Sequence, residues 1–338
     1  MRQKCTLFAD LCPGNSWAAV ASGVFPAYTL EALLPLENLE SLKAICHRYN
    51  PKVRYTHAAL GAYPESRFLC MDVLENTIKA KEQGFFEEFF KTRHQIELSA
   101  HSVAIINPMT GLIVDPDKGF PKEVILAGAR EEEILKIQAE IVAQSVYPDR
   151  LELGSLSMLG GLIHYQKSLQ LPSAMAVVEW GSQKSSLMIC SAKRVEMLRT
   201  IPFGEITLLQ RLKSTLSLKD EAAAARILSS PGFDFNEMGT VLLREFIKQL
   251  QAAISFFEVQ TGQSLKSFIV TLLPKHLSWV DGVLSQHLGP AALTVDYAAW
   301  LNASGLKLSA DVPALSNHHF GVASLVMTAE TDAEKKSS

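Results

Sequence analysis

Two similar stretches, CTLFADLCPGNSWAAV at residues 5–20 and AVVEWGSQKSSLMIC at residues 176–190, decide the predicted fold. Each is an apolar run that ends in an acidic residue, Asp10 or Glu179, followed by a turn and a second apolar run. Each also has a serine six positions after the acid. Asp10 and Glu179 are 169 positions apart, half of the 338 residues. A strand–turn–strand element that occurs once in each half-chain predicts two related α/β lobes.

An acid at a strand end, followed by a tight turn of small residues, is suited to binding a phosphate chain. Backbone N–H groups of such a turn point at the anion, serine hydroxyls donate to it, and the carboxylate holds hydrated Mg²⁺. Two such turns from facing lobes would hold a nucleotide between them, with Asp10 as the metal ligand. The candidate nucleotide-binding residues are Asp10, Gly14, Asn15, Ser16, Glu179, Gly181, Ser182 and Ser185. On spacing alone, the alternative is that both turns are solvated hairpin ends without a ligand.

Strands and helices are mixed along the rest of the chain, which predicts an α/β protein. Strands are predicted at Arg67–Leu74, Ser102–Asn107, Leu112–Asp115, Glu123–Ala127, Ala174–Val178, Leu187–Cys190, Val195–Ile201, Phe268–Leu273 and Ala292–Val295. Helices are predicted at Leu39–Tyr49, Ile78–Phe90, Glu131–Val146, Glu221–Leu228, Glu237–Gln260, Ser278–Leu288 and His318–Thr328. Ser217 and Asp220 predict a capping box for the helix at 221–228.

The composition argues against several classes of protein. Hydrophobic residues make up 48% and charged residues 20%, so there is enough apolar material for a core, and neither disorder nor a fibrous repeat explains the chain. The net charge of −3 argues against a nucleic-acid-binding protein. The five cysteines form no CxxC pair, which argues against a disulfide framework or a zinc site and indicates a reducing compartment. We find no signal peptide and no apolar window of transmembrane length, so we expect a soluble, cytoplasmic chain.

Two local features have competing interpretations. The pair His318–His319 suggests a metal site, but no carboxylate or cysteine lies at helical ligand spacing around it, which favours the start of a helix. A cluster of four phenylalanines is a candidate partner groove, although its helical spacing favours a buried helix face. The cluster consists of Phe85, Phe86, Phe89 and Phe90. The sequence contains no Walker A, G-x-G-x-x-G, H-E-x-x-H or G-x-S-x-G motif, and nothing in it indicates a catalytic nucleophile.

The order of these elements resembles the actin-like superfamily, and within it the family of the type IV pilus assembly protein PilM, a relative of the cell-division protein FtsA. The hairpin around Asp10 resembles that family's first phosphate motif, and AVVEWGSQKSSLMIC resembles its second. The segment KEVILAGAREEEILKIQAEIVAQSVYPDRLELGSLSMLGGL, residues 122–162, is similar to the second half of the family's inserted subdomain. RTIPFGEITLLQRL and LSLKDEAAAARIL resemble the run that follows the second motif. The resemblance covers about residues 4–327.

The resemblance implies an α/β fold of the actin-like, two-lobe type, built from duplicated RNase H-like lobes with an inserted α/β subdomain in the first lobe. The first lobe is expected at residues 1–55, 151–172 and 305–329. The inserted subdomain is expected at 56–150 and the second lobe at 173–304. A disordered polar tail is expected at 330–338.

The nucleotide motifs of the family are altered in this sequence. Cys12 replaces a glycine of the first motif, and its side chain crowds the approach of a phosphate. Glu179 replaces an aspartate of the second motif, beside the bulky Trp180. The third motif should be a glycine-rich turn after a strand, but FIVTLLPKH at residues 268–276 contains no glycine. We therefore expect the binding of ATP and Mg²⁺ to be lost or weakened.

The resemblance implies a scaffold rather than an enzyme. PilM-like proteins lie in the cytoplasm and hold the short N-terminal tail of a bitopic inner-membrane partner, the PilN-type protein. A pilus assembly ATPase and a platform protein are further implied partners, and neither nucleic acid nor direct membrane insertion is expected. The family's peptide groove would be bordered here by about Val53–Leu74 and Ser102–Leu126, without individual contacts assigned. The chain would then associate with the inner membrane through its partner.

Three alternatives remain open. An ATPase or a sugar-kinase-type enzyme of the same fold would need intact glycine turns and a catalytic carboxylate. An FtsA-like filament former that binds membrane would need an amphipathic C-terminal helix, and the tail TAETDAEKKSS has no apolar face. A GspL-like cytoplasmic domain of type II secretion has a similar fold but normally continues into a transmembrane helix.

Overall fold

The computed structural model describes residues 5–23, 28–230 and 233–329, which form three β-sheets with helices packed on them. The strands are Thr6–Asp10 (β1), Trp17–Ser22 (β2), Thr29–Pro35 (β3), Thr56–Ala62 (β4), Phe68–Val73 (β5), His101–Ile106 (β6), Glu123–Arg130 (β7), Val146–Leu153 (β8), Ala174–Glu179 (β9), Ser185–Cys190 (β10), Val195–Ile201 (β11), Leu265–Thr271 (β12), Ala291–Ala292 (β13) and Lys307–Leu308 (β14). The helices are Glu40–Tyr49 (α1), Phe85–Phe89 (α2), Glu131–Ala143 (α3), Gly154–Ser168 (α4), Glu205–Thr215 (α5), Glu221–Leu228 (α6), Asn236–Thr261 (α7), Trp279–His287 (α8), Tyr297–Ala303 (α9) and Phe320–Met327 (α10). The predicted tail at 330–338 lies outside the described residues.

The chain divides into two compact units. Unit 1 contains Met1–Leu171 with Asp296–Ser338, and unit 2 contains Pro172–Val295. The carboxyl end of unit 2 therefore lies at 295 rather than at 304. Helix α9 belongs to unit 1 because its fully buried Trp300 packs edge-on against the ring of Tyr165 in α4.

The two units contain sheets of the same topology. The six-stranded sheet of unit 1 has the order β14-β3-β2-β1-β4-β8, and the five-stranded sheet of unit 2 has the order β11-β10-β9-β12-β13. In each sheet the first three strands form an antiparallel meander. The fourth strand then runs parallel to the first, and the fifth parallel to the fourth. The predicted pair of strand–turn–strand elements is therefore confirmed as β1–β2 and β9–β10.

A three-stranded sheet of order β5-β7-β6 is inserted between β4 and β8 of unit 1. The insertion is narrower than the predicted 56–150, because β4 and β8 pair with each other in the six-stranded sheet. Its core contains Leu74, Val124 and Leu126, with the buried ring of Phe90. The other phenylalanines of the cluster pack against this core, so the interpretation of the cluster as a buried helix face is confirmed.

Two predicted elements of the inserted subdomain are wrong in detail. The single helix predicted at Ile78–Phe90 is interrupted at Gly84, which has a φ of +84°, and a π-helical turn at Phe90–His94 follows α2. The strand predicted at Leu112–Asp115 is reduced to one bridge between Ile113 and Ile106. The hairpin turn before it is present, with the N–H of Gly111 donating to the carbonyl of Asn107.

Two helix ends also differ from the prediction. Helix α3 ends at Ala143 because Ser145 has a φ of +62°, and Val146 already begins β8. Helix α6 is capped by Asp220 alone, whose Oδ1 accepts the N–H of Ala223 at 2.8 Å. The predicted capping box with Ser217 is wrong, because the N-cap of α6 is Asp220 and Ser217 lies in a turn before it with a φ of +50°.

Candidate functional site

The carboxyl ends of three parallel strands in unit 1 bring two acidic residues into one row. Asp10 of β1 aligns with Gly61 of β4, and Gly61 aligns with Glu152 of β8. Aligned residues of neighbouring strands share one face of a pleated sheet. The carboxyl ends of parallel strands are also where α/β proteins bind ligands. The candidate site is therefore this edge of the six-stranded sheet, together with the turn that follows β1.

Asp10, the predicted metal ligand, is buried inside unit 1. It is only 6% exposed, and its Oδ1 accepts a hydrogen bond from the Tyr63 hydroxyl at 2.8 Å. A Cβ added to Gly321 would lie 2.0 Å from Oδ2 of Asp10. The backbone of helix α10 thus lies directly against the carboxylate, and only glycine leaves room for this approach.

Tyr63, which directs its hydroxyl at Asp10, is held from both sides. Its ring lies against Gly154 at the start of α4, where a Cβ would come within 2.1 Å of Tyr63 Cζ. The guanidinium of Arg67 stacks over the ring, 5.6 Å from its centroid. Tyr63 is 9% exposed and directly follows β4. The hydrogen bond to Asp10 is therefore part of the packed interior of unit 1.

Glu152, the second acid of the row, is missed by the sequence analysis. Arg150 donates from Nε and Nη2 to its two carboxylate oxygens at 2.6 and 2.7 Å, and the Ser157 hydroxyl also donates to it. Such a bidentate guanidinium contact neutralises the charge that would attract a cation. No local motif marks Glu152, because its place in the row depends on the register between β4 and β8.

The polar side chains of the first predicted turn donate hydrogen bonds to backbone carbonyls of unit 1. The Ser16 hydroxyl donates to the carbonyl of Cys12 at 2.8 Å, and Asn15 Nδ2 donates to the carbonyl of His318 at 3.0 Å. Gly14 has a φ of +76°, and a Cβ there would meet no atom within 4 Å. Glycine is thus required at the tip by the backbone conformation, while space above it is open.

His319 supports this turn from the far end of the chain. The ring of Trp17 packs edge-on against the His319 ring with centroids 4.3 Å apart. The backbone N–H of Ser316 donates to Nδ1 of His319 in a capping box, so the predicted helix start at this histidine pair is confirmed. Burial and the neighbouring His318 lower the pKa of His319. The ring is therefore neutral at physiological pH, as its acceptor role at Nδ1 requires.

In the second predicted turn, the Ser185 hydroxyl and the backbone at Gly181 are likewise occupied by contacts within unit 2. Glu179 is 5% exposed at the end of β9. The Ser185 hydroxyl donates to the carbonyl of Phe203 at 2.7 Å. A Cβ on Gly181 would lie 1.9 Å from the carbonyl oxygen of Lys184, so the turn admits no side chain at this position.

The start of helix α5 donates to this second turn. The N–H groups of Glu205 and Ile206 bind the carbonyls of Gly181 and Ser182, both at 3.0 Å. A Cβ on Gly204 would lie 2.4 Å from the Gly181 carbonyl oxygen. Two of the N–H groups that a helix N-terminus offers to an anion are therefore already used here.

The segment expected to be the third, glycine-rich turn keeps a glycine-like backbone without glycine. Leu272, directly after β12, has a φ of +58°, a conformation that costs a leucine roughly 1–2 kcal/mol. The neighbouring Thr271 is buried, and its carbonyl accepts the N–H of Trp180 at 3.0 Å. The side chains of Leu272 and Leu273 are half-buried at this turn.

The predicted Mg²⁺ and nucleotide ligands do not fit a phosphate-bound metal in this arrangement. Asp10 and Glu152 both accept strong hydrogen bonds from protein donors. The side chains of Asn15, Ser16 and Ser185 donate to backbone carbonyls of their own unit. A phosphate would have to displace these contacts before it could be bound. Across residues 5–23, 28–230 and 233–329, no group of three or more His, Cys, Asp or Glu side chains is placed to hold a metal ion.

The segments predicted to border a peptide groove include both edges of the inserted sheet. β5 lies within Val53–Leu74 and pairs with β7 alone among the described strands. β6 overlaps Ser102–Leu126, and its outer edge is open at its amino end only, because Ile106 is bridged to Ile113. An open strand edge can accept an extended peptide by backbone pairing. A cavity of about 700 Å³ lies at the amino end of β6 and of α3, where Glu97, Glu131 and Glu132 line it, outside both segments.

Within the described parts of the chain, no helix is long and apolar enough to cross a bilayer. None of the five cysteines, all within the described residues, is in a disulfide, and Cys12, Cys46 and Cys190 are buried.

Comparisons with known proteins find similar structures but no similar sequence. No protein-family model matches the chain, and no curated protein matches it. A structure of a PilM–PilN type IV pilus biogenesis complex matches with a TM-score of 0.66 over 97% of this chain and 98% of the other, at 13% identity. This likeness spans the full length of both chains, and at that identity it shows the fold alone.

Two further solved structures are similar at lower TM-scores. One is a Bacteroides thetaiotaomicron protein with an actin-like ATPase fold (TM-score 0.43, 11% identity, 89% of this chain and 96% of the other). The other is the cytoplasmic domain of EpsL, an inner-membrane component of the Vibrio cholerae type II secretion system (TM-score 0.43, 7% identity, 96% of this chain and 95% of the other). The likeness to the PilM–PilN structure and the two sheets of equal topology show that the chain has the actin-like α/β fold, as predicted.

Proposed function

We propose that this chain is a scaffold of a type IV pilus-like assembly at the inner membrane, where it binds the cytoplasmic N-terminal tail of a PilN-type membrane protein. The observation that carries this proposal is the full-length likeness to the PilM–PilN complex structure. The protein would be cytoplasmic and would reach the membrane through its partner. A pilus assembly ATPase and a platform protein are further partners in this proposal.

Weak or absent ATP binding is the second part of the proposal. Its support is the set of contacts that close the two turns, above all the burial of Asp10 under Tyr63 and Gly321. A nucleotide that displaced the two buried hydrogen bonds, Tyr63 to Asp10 and Ser185 to the carbonyl of Phe203, would leave groups unsatisfied at a cost of about 1–3 kcal/mol each. The protein would then act through its peptide-binding surface rather than through phosphoryl transfer.

A peptide-binding experiment tests the scaffold. Labelled N-terminal tails of bitopic membrane proteins encoded near this gene are titrated with the protein and followed by fluorescence anisotropy, with scrambled tails as controls. Hydrogen exchange is then measured with and without the tail. We expect binding of the native tail alone, with new backbone protection at 68–73 or at the amino end of β6, because an added strand pairs with an open edge. Binding without protection at either edge would contradict the predicted groove, and no binding of any tail would contradict the scaffold.

Calorimetry with Mg²⁺ and ATP tests the nucleotide claim separately. We expect no heat of binding at micromolar protein and nucleotide. Micromolar affinity would overturn the claim of a closed site, and turnover of ATP would favour the alternative of an ATPase or a small-molecule kinase of the actin and sugar-kinase superfamily.

A further inference from the structure

Three side chains of the inserted subdomain form a chain of contacts from a thiol to a carboxylate. The sulfur of Cys70 lies 3.9 Å from Nδ1 of His94. Nε2 of His94 lies 3.0 Å from Oδ2 of Asp72. A nucleophile next to a base, with the base oriented by a third group, is the arrangement that supports nucleophilic catalysis on many unrelated folds. This cluster belongs to neither nucleotide turn, and it lies on β5, one of the two strands proposed to accept the partner's tail.

The fold places the three groups for local reasons. Cys70 and Asp72 are two positions apart on β5, so their side chains project from the same face of the strand. His94 ends the π-helical turn, and its ring lies 5.7 Å from that of Phe89 and 5.9 Å from that of Phe90. The histidine is thus held by aromatic packing on one side and by a carboxylate on the other.

An ion pair with Arg93 fixes the carboxylate of Asp72. Arg93 donates from Nη1 to Oδ1 of Asp72 at 2.8 Å and from Nη2 to Glu75 at 2.7 Å. Asp72 therefore has one oxygen for Arg93 and the other for His94. The side chains of Asp72 and His94 are 18% and 19% exposed, so the pair is sheltered from solvent without being sealed.

The contacts define one reactive tautomer. Because an ionised carboxylate only accepts, Nε2 of His94 donates to Asp72, and in the neutral ring Nδ1 presents a lone pair to the sulfur. Burial and the nearby Asp72 raise the pKa of Cys70 to about 11. The thiol is thus protonated at neutral pH, and its reaction as a nucleophile requires a base to take the proton.

We propose that Cys70, His94 and Asp72 form a nucleophilic site that accepts an acyl group from an activated acyl compound, such as a thioester or an activated ester. The sulfur of Cys70 bonds to the acyl carbon while its proton moves to Nδ1 of His94. The bond between the acyl carbon and the leaving group then breaks, and His94 returns the proton to the departing thiol or alcohol. The product is an S-acylated Cys70, and no oxidant or further reactant is needed. His94 acts as the general base, and Asp72 is a positioning residue.

The test compares two half-buried thiols of the same protein. Full-length protein is incubated with p-nitrophenyl acetate, and acetylation of Cys70 and of Cys5 is followed by peptide mass spectrometry. Cys5 is also partly exposed, and burial raises its pKa as well. We expect Cys70 to be acetylated at least about tenfold faster than Cys5, since general-base assistance typically contributes more than that. Equal rates for the two thiols would overturn the proposal.

Three variants separate this chemistry from a structural role. His94→Asn should reduce acetylation of Cys70 to the rate of Cys5, while Cys5 itself is unaffected. Asp72→Asn should slow Cys70 acetylation and shift the ¹⁵N resonances of His94, because the tautomer is no longer fixed. Glu75→Gln, the matched control, removes a charge from Arg93 without touching His94 and should leave the rate unchanged. Fast acetylation of Cys70 in a folded His94→Asn protein would overturn the proposal, as would an unchanged rate and an unchanged His94 spectrum in Asp72→Asn.

Discussion

The turns after β1 and β9 occupy equivalent places in two sheets of equal topology, yet they are closed in different ways. Around Gly14 in the first turn there is open space, and the polar side chains are held by carbonyls. In the second turn the backbone itself is packed, with Gly181 against Lys184 and Gly204. The comparison shows two ways of closing the same strand–turn–strand element. In the first turn the side-chain donors are bound to carbonyls, and in the second the backbone itself is tightly packed.

The acids that precede the turns show the same contrast. In unit 1 the position next to Asp10 is Gly61, and the residue two positions further, Tyr63, returns its hydroxyl to Asp10. In unit 2 the position next to Glu179 is Thr271, and the strained Leu272 follows it. A hydrogen bond therefore fixes the first acid, while apolar side chains fill the corresponding end of β12.

The largest effect on stability is expected from adding a methyl group at Gly181, in the tightly packed turn after β9. Gly181→Ala should lower the free energy of unfolding by about 3 kcal/mol, because the new Cβ meets backbone that cannot yield. Gly14→Ala, its counterpart in the first turn, should cost only about 1 kcal/mol, from the positive φ alone. Urea denaturation monitored by hydrogen exchange in each unit measures both. Equal costs for the two variants would break the distinction between a backbone-closed and a side-chain-closed turn.

The next largest effect on stability is expected from removing the Tyr63 hydroxyl, which donates a hydrogen bond to Asp10. Tyr63→Phe should destabilise unit 1 by about 2 kcal/mol, since it removes a hydrogen bond from a buried carboxylate and leaves the ring in place. Tyr147→Phe is the control, because Tyr147 is 52% exposed and should change stability by less than about 0.5 kcal/mol. The measurement is the urea midpoint at constant slope. A neutral Tyr63→Phe would show that the hydroxyl is dispensable for holding Asp10.

The strands around these turns are predictable from the sequence because their signal is local. β1, β2, β9 and β10 are apolar runs on either side of turn residues, and the duplication at half-length adds a second, independent observation. By contrast, β4 has the sequence THAALGA, which is rich in small residues and poor in β-branched ones. Its strand conformation comes from its place between β1 and β8, because tertiary context overrides weak propensity.

The candidate site was predictable in part for the same reason. Asp10 can be selected from its own neighbours in sequence. Glu152 cannot, because its importance depends on the register between β4 and β8, which local periodicity does not contain. The contact between Tyr63 and Asp10 joins residues 53 positions apart, and the Asn15–His318 contact spans 303. These long-range contacts occupy the polar groups of the first turn, and a local sequence pattern cannot predict them.

A smaller effect is expected from pH, through the histidine that supports the first turn. Burial lowers the pKa of His319 in the folded state, so the unfolded chain binds the proton more readily. Stability is therefore complete above the unfolded-state pKa of about 6.5 and falls as the pH drops below it, by at most about 1.4 kcal/mol per pH unit. Unfolding measured between pH 7.5 and 5.5 should show this slope, and His319→Asn should remove it. The exposed His47→Asn is the control, and an unchanged slope in His319→Asn would assign the pH dependence elsewhere.

The smallest effect is expected in the third turn, where the second unit keeps a left-handed backbone at a leucine. Leu272→Gly relieves roughly 1–2 kcal/mol of backbone strain but loses part of a half-buried side chain and increases the entropy of the unfolded chain. We expect a net stabilisation below about 1 kcal/mol, measured by thermal or urea unfolding. Leu273→Gly, the adjacent control at a negative φ, should be destabilising, because it only loses packing and gains flexibility. If both variants destabilise equally, the positive φ at Leu272 carries no strain, and the contrast with the glycine-tipped first turn loses its energetic basis.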